Sequence, residues 1–391
     1  MREGLAQTLL IIAGVSLGVA VIVFMSALLS GLQSNIIRRT LNFQAPIVVV
    51  PPEQLARPLR AGESGAVNLQ PRSQQLRSID QWQKVRQQIE RLPDVIAVTP
   101  VVSGPGFALR GDASKAISLT GIEPESYLIV IALAEKMVQG GVTLNGSDIV
   151  IGTELASDLG AGLGEKLRVT TVTGAVETLR VSGIFDFGNK AVNGRSAYVS
   201  LRTAQSLLDL VGGASSLEVK IRDPFAAEII AQRIAGETGL QADSWIKTNA
   251  QFFTAIAAQS LSNTVIRFFV GLTAALGIAS VLVVSVVQKS KEIGILRAMG
   301  TSRGQVLRLF LLQGGAMGLV GSVIGSAMGY AFVLVWSGIA RNPDGTPLFI
   351  IEIQPMLFAA ATVGATLVGI LSAVVPARQA ARLDPAVAIR G

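Results

Sequence analysis

The sequence lacks two residue types on which much enzyme chemistry depends. Its 391 residues include no cysteine and no histidine. The first absence excludes disulfide bonds and thiolate metal sites, and the second excludes the Ser-His and Cys-His pairs that activate nucleophiles. A Gly-Lys pair, which a phosphate-binding P-loop requires, does not occur either. We therefore expect no catalytic residue, no metal site and no bound cofactor in this chain.

Charged residues are also scarce, and their distribution is uneven. They make up 15% of the chain, whereas hydrophobic residues make up 50%. Four long stretches contain no charge at all, namely residues 5–37, 268–288, 309–340 and 353–377. About 20 helical residues cross a hydrocarbon core of roughly 30 Å, and a backbone in lipid must satisfy its own hydrogen bonds. Each stretch therefore predicts a transmembrane helix.

The net charge of +7 lies mainly in two short segments that flank these stretches. The segment between the second and third stretches holds five basic residues and one acidic residue, and the C-terminal tail holds three basic residues and one acidic residue. Because short basic loops face the cytoplasm, we expect both termini there and the large region between the first two stretches in the periplasm. The basic composition then reflects membrane topology, and we expect no nucleic-acid partner.

The predicted fold is an integral membrane α-helical protein with four transmembrane helices in a 1+3 order. A large α+β periplasmic domain is inserted between helices 1 and 2, since that region alternates strand-like and helix-like patterns. The predicted segments are transmembrane helix 1 at 1–33, the periplasmic domain with its stalk ends at 34–260, transmembrane helix 2 at 261–288, a cytoplasmic segment at 289–308, transmembrane helix 3 at 309–340, a periplasmic loop at 341–354, transmembrane helix 4 at 355–377 and a cytoplasmic tail at 378–391.

Local patterns predict several elements of the large domain. A tight hairpin is expected across Thr173-Gly174, because β-forming residues flank this pair on both sides. Ser78 and Gln81 form a capping-box pattern before a helix that starts near Trp82. Residues 95–102 and 107–110 predict two separate strands. Residues 51–72 are rich in Pro, Gly, Arg and Gln without periodicity, and so predict a loop or an insertion.

Glycine is concentrated where transmembrane helices would touch. Small residues let helix backbones approach closely in lipid, where packing drives association. The glycines can serve packing among the four helices of one chain or the seam of a dimer, and the sequence leaves both open. The predicted packing glycines are Gly14 and Gly18 in the first helix, and Gly314, Gly318, Gly321, Gly325 and Gly329 in the third.

The cytoplasmic segment between the second and third stretches has an amphipathic pattern. Ile293, Leu296 and Met299 recur at spacings of three, which predicts one apolar helix face, and Lys291, Glu292 and Arg297 surround it. Such a helix can dock in the groove of a partner protein. It can equally be a basic loop that only sets membrane topology. The spacing alone favours the topological interpretation.

Three segments carry a specific resemblance to a known family. Residues 289–300 read Lys-Ser-Lys-Glu-Ile-Gly-Ile-Leu-Arg-Ala-Met-Gly, residues 375–385 read Val-Pro-Ala-Arg-Gln-Ala-Ala-Arg-Leu-Asp-Pro, and residues 12–20 read Ile-Ala-Gly-Val-Ser-Leu-Gly-Val-Ala. These segments resemble the FtsX/MacB/LolC-LolE family of ABC-transporter permeases. Residues 150–156, 181–185 and 197–201 resemble the periplasmic domain of its LolC/LolE-type members.

The resemblance implies a permease that does not hydrolyse ATP itself. ATP would be used by a separate cytoplasmic ATPase, and its motion would reach the periplasmic domain through stalk helices at the ends of that domain. The other implied partners are the lipid bilayer and a second permease subunit, either a copy of this chain or a paralogue. The residues implied to contact the ATPase are Lys291, Glu292, Ile293, Leu296, Arg297, Met299 and Gly300.

Within the family, the chain is most similar to the lipoprotein-releasing LolC/LolE type, which predicts a lipoprotein as cargo. A chaperone-recruiting member carries an extended hook in its periplasmic domain, and the tight turn at Thr173-Gly174 leaves no room for one there. Two alternatives stay open: a MacB-like exporter that works with a periplasmic adaptor, and an FtsX-like regulator of cell-wall hydrolases. An enzyme in the outer domain is disfavoured by the missing histidine and cysteine.

Overall fold

The computed structural model describes residues 2–52, 77–340 and 355–383. Most of the predicted insertion at 51–72, the predicted periplasmic loop at 341–354 and the predicted tail after residue 383 lie outside the described residues. The described helices are α1 (Arg2–Phe43), α2 (Trp82–Glu90), α3 (Pro124–Val130), α4 (Thr153–Leu159), α5 (Lys190–Asn193), α6 (Leu201–Leu207), α7 (Ala227–Thr238), α8 (Trp245–Thr248), α9 (Ala250–Gln288), α10 (Ser290–Ala298), α11 (Arg303–Ile339) and α12 (Pro355–Arg382).

Four of these helices are long and apolar enough to cross a membrane: α1, α9, α11 and α12. Together with α10 they form one compact unit, which comprises residues 1–36 and 254–391. A second unit, residues 37–253, carries a large β-sheet and the shorter helices. The predicted 1+3 order of apolar helices around an inserted α+β domain is confirmed.

The second unit is built on one sheet of ten described strands. The strands are β1 (Ile47–Val50), β2 (Val95–Arg110), β3 (Ala113–Ile122), β4 (Met137–Gly140), β5 (Asp148–Gly152), β6 (Lys166–Thr171), β7 (Val176–Phe185), β8 (Ser196–Ser200), β9 (Ser216–Ile221) and β10 (Gln241–Ser244). Their order is β10-β1-β9-β2-β3-β8-β5-β7-β4, and β6 pairs with both β2 and β7. The pairs β3–β8 and β5–β7 are parallel, and the other pairs are antiparallel.

Apolar strands hold this sheet in the core of the unit. β5 is buried along its whole length, as its run of β-branched residues predicts. Trp245 is the centre of the packing where α1 ends and α9 begins. Its indole N–H donates to the carbonyl of Pro224 at 2.7 Å. Its ring meets Phe253, with centroids 5.1 Å apart. A buried indole with its donor satisfied fixes the chain at the point where α9 begins.

The local predictions for this domain have mixed outcomes. The hairpin is confirmed, since β6 and β7 pair antiparallel on either side of the turn that contains Gly174. The two strands predicted at 95–102 and 107–110 are wrong, because β2 runs through Pro105 without interruption. The capping box is also wrong: Gln81 takes a left-handed conformation with φ of 51°, and no side chain caps α2.

The carboxylate of Glu218 is held in the core of this domain. Its Oε2 atom is buried and has no hydrogen-bond partner among the described residues. Glu218 lies opposite Thr99 in the pairing of β2 with β9, and it interacts electrostatically with Tyr127 and Tyr198. Burial disfavours the charged form and raises the pKa of Glu218 to about 7.

We predict that this domain loses stability as the pH rises from about 4.5 to about 7. In that range the folded state holds a proton on Glu218 that the unfolded state has released, so each step upward in pH favours unfolding. Glu218→Gln should remove this dependence on pH. At pH 8 it should increase the free energy of unfolding by about 2–3 kcal/mol, and so raise the thermal midpoint. Thermal unfolding of the detergent-solubilised wild type and variant at pH 5 and pH 8 measures this change in stability.

The exposed Glu125 offers the matched control, since Glu125→Gln removes a carboxylate that already contacts water. That variant should keep the wild-type dependence on pH. Equal midpoints for wild type and Glu218→Gln at pH 8 would contradict the assignment.

Candidate functional site

The candidate site is the short helix α10, which lies between two of the long apolar helices. At its N-terminal end it follows α9 after the single residue Lys289, across which backbone hydrogen bonds continue, and at its C-terminal end the helix breaks sharply. After α10 ends, Gly300 has a φ of +103°, a backbone conformation that residues other than glycine rarely adopt. Ser302 then starts α11 with a capping box: its hydroxyl accepts from the Gln305 N–H, and the Gln305 side chain accepts from the Ser302 N–H. The turn at Gly300 and the cap at Ser302 separate α10 from α11.

One face of α10 is buried in the membrane unit. Ile293 is only 6% exposed and belongs to an apolar cluster with Val306, Ala377 and Ala381. The other face is apolar and open. Leu296 is 47% exposed and Met299 is 79% exposed, with Ile295 beside them. Lys291 and Glu292 are exposed as well.

The prediction that Ile293, Leu296 and Met299 share one face is therefore wrong for Ile293. A helix turns by 100° per residue, so six residues displace a side chain by about 120°. Ile293 consequently points inward when Met299 points outward. Ile295 was missed as a member of the open face, although its spacing of four from Met299 could have identified it.

Arg297 also points inward. Its Nη1 donates to the carbonyl oxygen of Leu383, the residue that follows α12. Its Nε atom is buried and has no hydrogen-bond partner among the described residues. The side chain thus fixes the C-terminal end of α10 to the end of α12. The sequence could not show this contact, because 86 residues separate the two partners.

The glycines of α11 contact two other helices of the same chain. If Gly318 carried a β-carbon, that atom would lie 2.5 Å from the carbonyl oxygen of Ala365 in α12, and Gly314 is equally close to Gly369. On another face of α11, Gly321, Gly325 and Gly329 lie against Val15, Val19 and Val23 of α1. The neighbouring helices therefore leave no room for a side chain at any of these five glycines of α11.

The two glycines of α1 differ from each other. A β-carbon on Gly18 would lie 2.8 Å from the Val270 Cγ1 atom in α9, whereas one on Gly14 would meet no described atom within 4 Å. Gly14 therefore makes no close contact with the described part of the chain. Elsewhere in the described residues, no group of three acidic side chains lies together as metal ligands would.

Two family models match the chain. The model of the MacB-like periplasmic core domain matches residues 8–237, and the model of the FtsX-like permease C-terminal matches residues 264–385. The boundary between them falls near the start of α9. The two models together account for most of the sequence.

Individual proteins resemble the chain over different lengths. The lipoprotein-releasing system transmembrane protein LolC of Neisseria meningitidis serogroup B is 25% identical, over 98% of this chain and 94% of the relative. The macrolide export ATP-binding/permease protein MacB 1/2 of Paracoccus denitrificans is 26% identical, over 77% of this chain and 46% of the relative. The solved periplasmic region of MacB from Actinobacillus actinomycetemcomitans has 17% identity and a TM-score of 0.36, over 55% of this chain and 95% of that structure.

We predict that Gly318→Leu separates α11 from α12 and destabilises the membrane unit by about 3 kcal/mol or more, because the new side chain would overlap the Ala365 carbonyl. The thermal midpoint of the chain in mild detergent and its resistance to trypsin measure the effect. Gly338→Leu is the control on the same helix, since a β-carbon there meets no described atom within 4 Å. Equal midpoints for the two variants would show that the close contact is absent.

Proposed function

Because the chain belongs to the family of ABC-transporter permeases that join a MacB-like periplasmic core domain to an FtsX-like permease C-terminal, we propose that it is the permease subunit of an ATP-driven complex that releases lipoproteins from the inner membrane. The four apolar helices and the family matches make it a multi-pass inner-membrane protein. In this proposal a separate cytoplasmic subunit hydrolyses ATP, and the permease needs no cofactor of its own.

The observation that carries the proposal is the open apolar face of α10. Ile295, Leu296 and Met299 expose large apolar side chains on a short helix that two long apolar helices flank. An amphipathic helix of this kind suits a groove in a partner protein. The basic residues around it favour a cytoplasmic location, where a soluble ATPase can reach it. Lys291 and Glu292 lie one helical turn before Ile295 and Leu296 on the same side of α10, and they would contact the partner as well.

The buried residues of α10 would transmit motion from that partner. Ile293 packs in the core of the membrane unit, and Arg297 holds the carbonyl of Leu383. Gly300 would contribute through its backbone, as the turn that separates α10 from α11. A displacement of α10 would therefore move the cytoplasmic ends of α11 and α12 with it.

Two continuous helices would deliver the motion to the outer domain. α1 has 42 residues and α9 has 39, so they are about 63 Å and 58 Å long, twice the roughly 30 Å of a hydrocarbon core. The end of α1 and the start of α9 pack together in the outer domain, where the Asn249 side-chain amide donates to Gln44 Oε1 at 3.2 Å. Leu41 and Phe253 join the apolar cluster around Trp245 there.

The choice of lipoprotein as cargo is supported by relatives of nearly equal length whose names specify lipoprotein release. A second permease subunit, identical or paralogous, would complete the complex, since four helices are few for a translocation path. The MacB-like relatives keep export with a periplasmic adaptor as the second candidate. Regulation of a cell-wall hydrolase is the third, and it rests on the FtsX-like C-terminal model.

We predict that Leu296→Asp or Met299→Asp weakens binding of the ATPase by about tenfold or more, because a charge would enter the apolar contact. The amount of ATP-binding subunit that copurifies with the tagged chain from its own membranes measures this, together with the ATPase activity of the eluted complex. Met356→Asp is the control, since Met356 is 75% exposed at the start of α12, the opposite end of that helix from Leu383. Unchanged copurification of the ATPase with both α10 variants would refute the coupling role.

We predict that depletion of this chain in its own bacterium leaves lipoproteins in the inner membrane, because the step that extracts them is lost. Lipoprotein content of separated inner and outer membranes provides the measurement. Normal lipoprotein sorting together with copurification of a periplasmic adaptor would favour export instead. Normal sorting together with copurification of an amidase would favour control of cell-wall hydrolysis.

A further inference from the structure

The membrane unit contains an apolar slot with a positive charge at one end. The slot has a volume of 280 Å³ and lies between α1, α9 and α12. A cavity of about 150 Å³ already holds a benzene molecule, so this slot has room for a longer apolar group. Among its described lining residues, Arg267 is the one charged side chain.

The slot is elongated along the helices. Its lining on α9 runs from Arg267 to Ile278, and its lining on α12 runs from Leu357 to Val368. Each run covers eleven helical steps, or about 16 Å. This length is close to half of a hydrocarbon core of roughly 30 Å, which is the depth of one leaflet. The shape thus matches an acyl chain that lies parallel to the helices.

Arg267 lies where the head group of such a lipid would be. It immediately precedes the uncharged stretch 268–288, so it sits at the boundary of the apolar part of α9. Its Nη2 donates to the Ser26 hydroxyl of α1 at 2.6 Å, which holds the guanidinium at the mouth of the slot. The side chain is otherwise exposed, and α9 and α12 contain no Asp or Glu that could neutralise it.

We propose that this slot binds one phospholipid of the surrounding bilayer, with an acyl chain between α1, α9 and α12 and the phosphate on Arg267. Guanidinium groups bind phosphate through paired hydrogen bonds, and the remaining N–H groups of Arg267 are available for that contact. A lipoprotein anchor would fit the apolar slot, but it carries no anionic group at its acylated end. The single positive charge therefore favours a phospholipid over the cargo. The proposal does not depend on the function proposed above.

The chain offers a matched pair of glycines to test the slot. Gly271 lines it and Gly277 does not, although both lie on α9 and a β-carbon on either would meet no described atom within 4 Å. Gly271→Leu should therefore fill the slot without displacing a neighbouring helix. Gly277→Leu adds the same side chain to the same helix outside the slot.

The experiment is a titration of the full chain in neutral detergent with dioleoylphosphatidylglycerol, followed by native mass spectrometry. We expect one tightly retained lipid for the wild type, and affinity about tenfold weaker for Arg267→Gln, which loses a charged hydrogen bond. Gly271→Leu should lose at least as much affinity, and Gly277→Leu should stay near the wild type. Arg267→Lys should fall between the wild type and Arg267→Gln, because lysine keeps the positive charge but not the paired donors. Dioleoylglycerol, which lacks the phosphate, should bind weakly and equally to the wild type and Arg267→Gln. Gel filtration and thermal unfolding verify that each variant is folded.

Three results would overturn the proposal. The first is equal retention of the lipid by wild type, Arg267→Gln and Gly271→Leu. The second is equal loss of affinity in Gly271→Leu and Gly277→Leu, which would assign the effect to α9 as a whole. The third is binding of a synthetic triacylated lipopeptide that Gly271→Leu abolishes and Arg267→Gln leaves unchanged, with no retained phosphatidylglycerol. That last result would assign the slot to the cargo.

Discussion

The close contact of α11 with α1 and α12 is the constraint on which the membrane unit depends. Lipid tails are as apolar as leucine side chains, so helices in a bilayer gain little from hiding apolar surface and must gain from packing. Gly314 and Gly318 bring the backbone of α11 against α12, and Gly325 brings it against α1. The glycines on these two faces make α11 the shared neighbour of both helices. A dimer seam would need a surface other than these faces.

This packing determines what α10 can do. The helix sits between α9 and α11 in the chain, and its inner face joins the same apolar cluster as the ends of α11 and α12. Its outer face leaves Leu296 and Met299 uncovered by the described part of the chain. A loop that only set topology would need basic residues and would have no use for apolar side chains held outward. The two-faced structure of α10 therefore favours a docking role, which the spacing in the sequence alone did not.

The fold was largely predictable because its strongest signals are long and uniform. Uncharged stretches of 20 residues or more have few alternatives to membrane helices, and the hairpin at Thr173-Gly174 follows from local turn chemistry. The errors arose where a tertiary contact overrides a local pattern. Pro105 lies inside β2, where that strand pairs with β3 on one side. Proline has no backbone N–H to donate, and this position in the pairing does not require one. Ser78 does not cap α2: the Ile79 N–H beside it donates to the Ala214 carbonyl at 2.8 Å, and the helix begins only after the left-handed Gln81.

Two arginines of the membrane unit, Arg267 and Arg297, show why specific contacts were harder to predict than the fold. In the sequence, Arg267 and Arg297 contribute only charge, and charge predicts which side of the membrane a segment faces. Their specific contacts depend on partners far along the chain, Ser26 for Arg267 and Leu383 for Arg297. Arg267 lies within α9 at the start of its uncharged stretch, Arg297 lies near the end of α10, and each guanidinium is held by an oxygen from a distant part of the chain. A side chain with a long apolar stem and several donors suits such a boundary, because the stem can pack among the helices while the donors reach polar atoms.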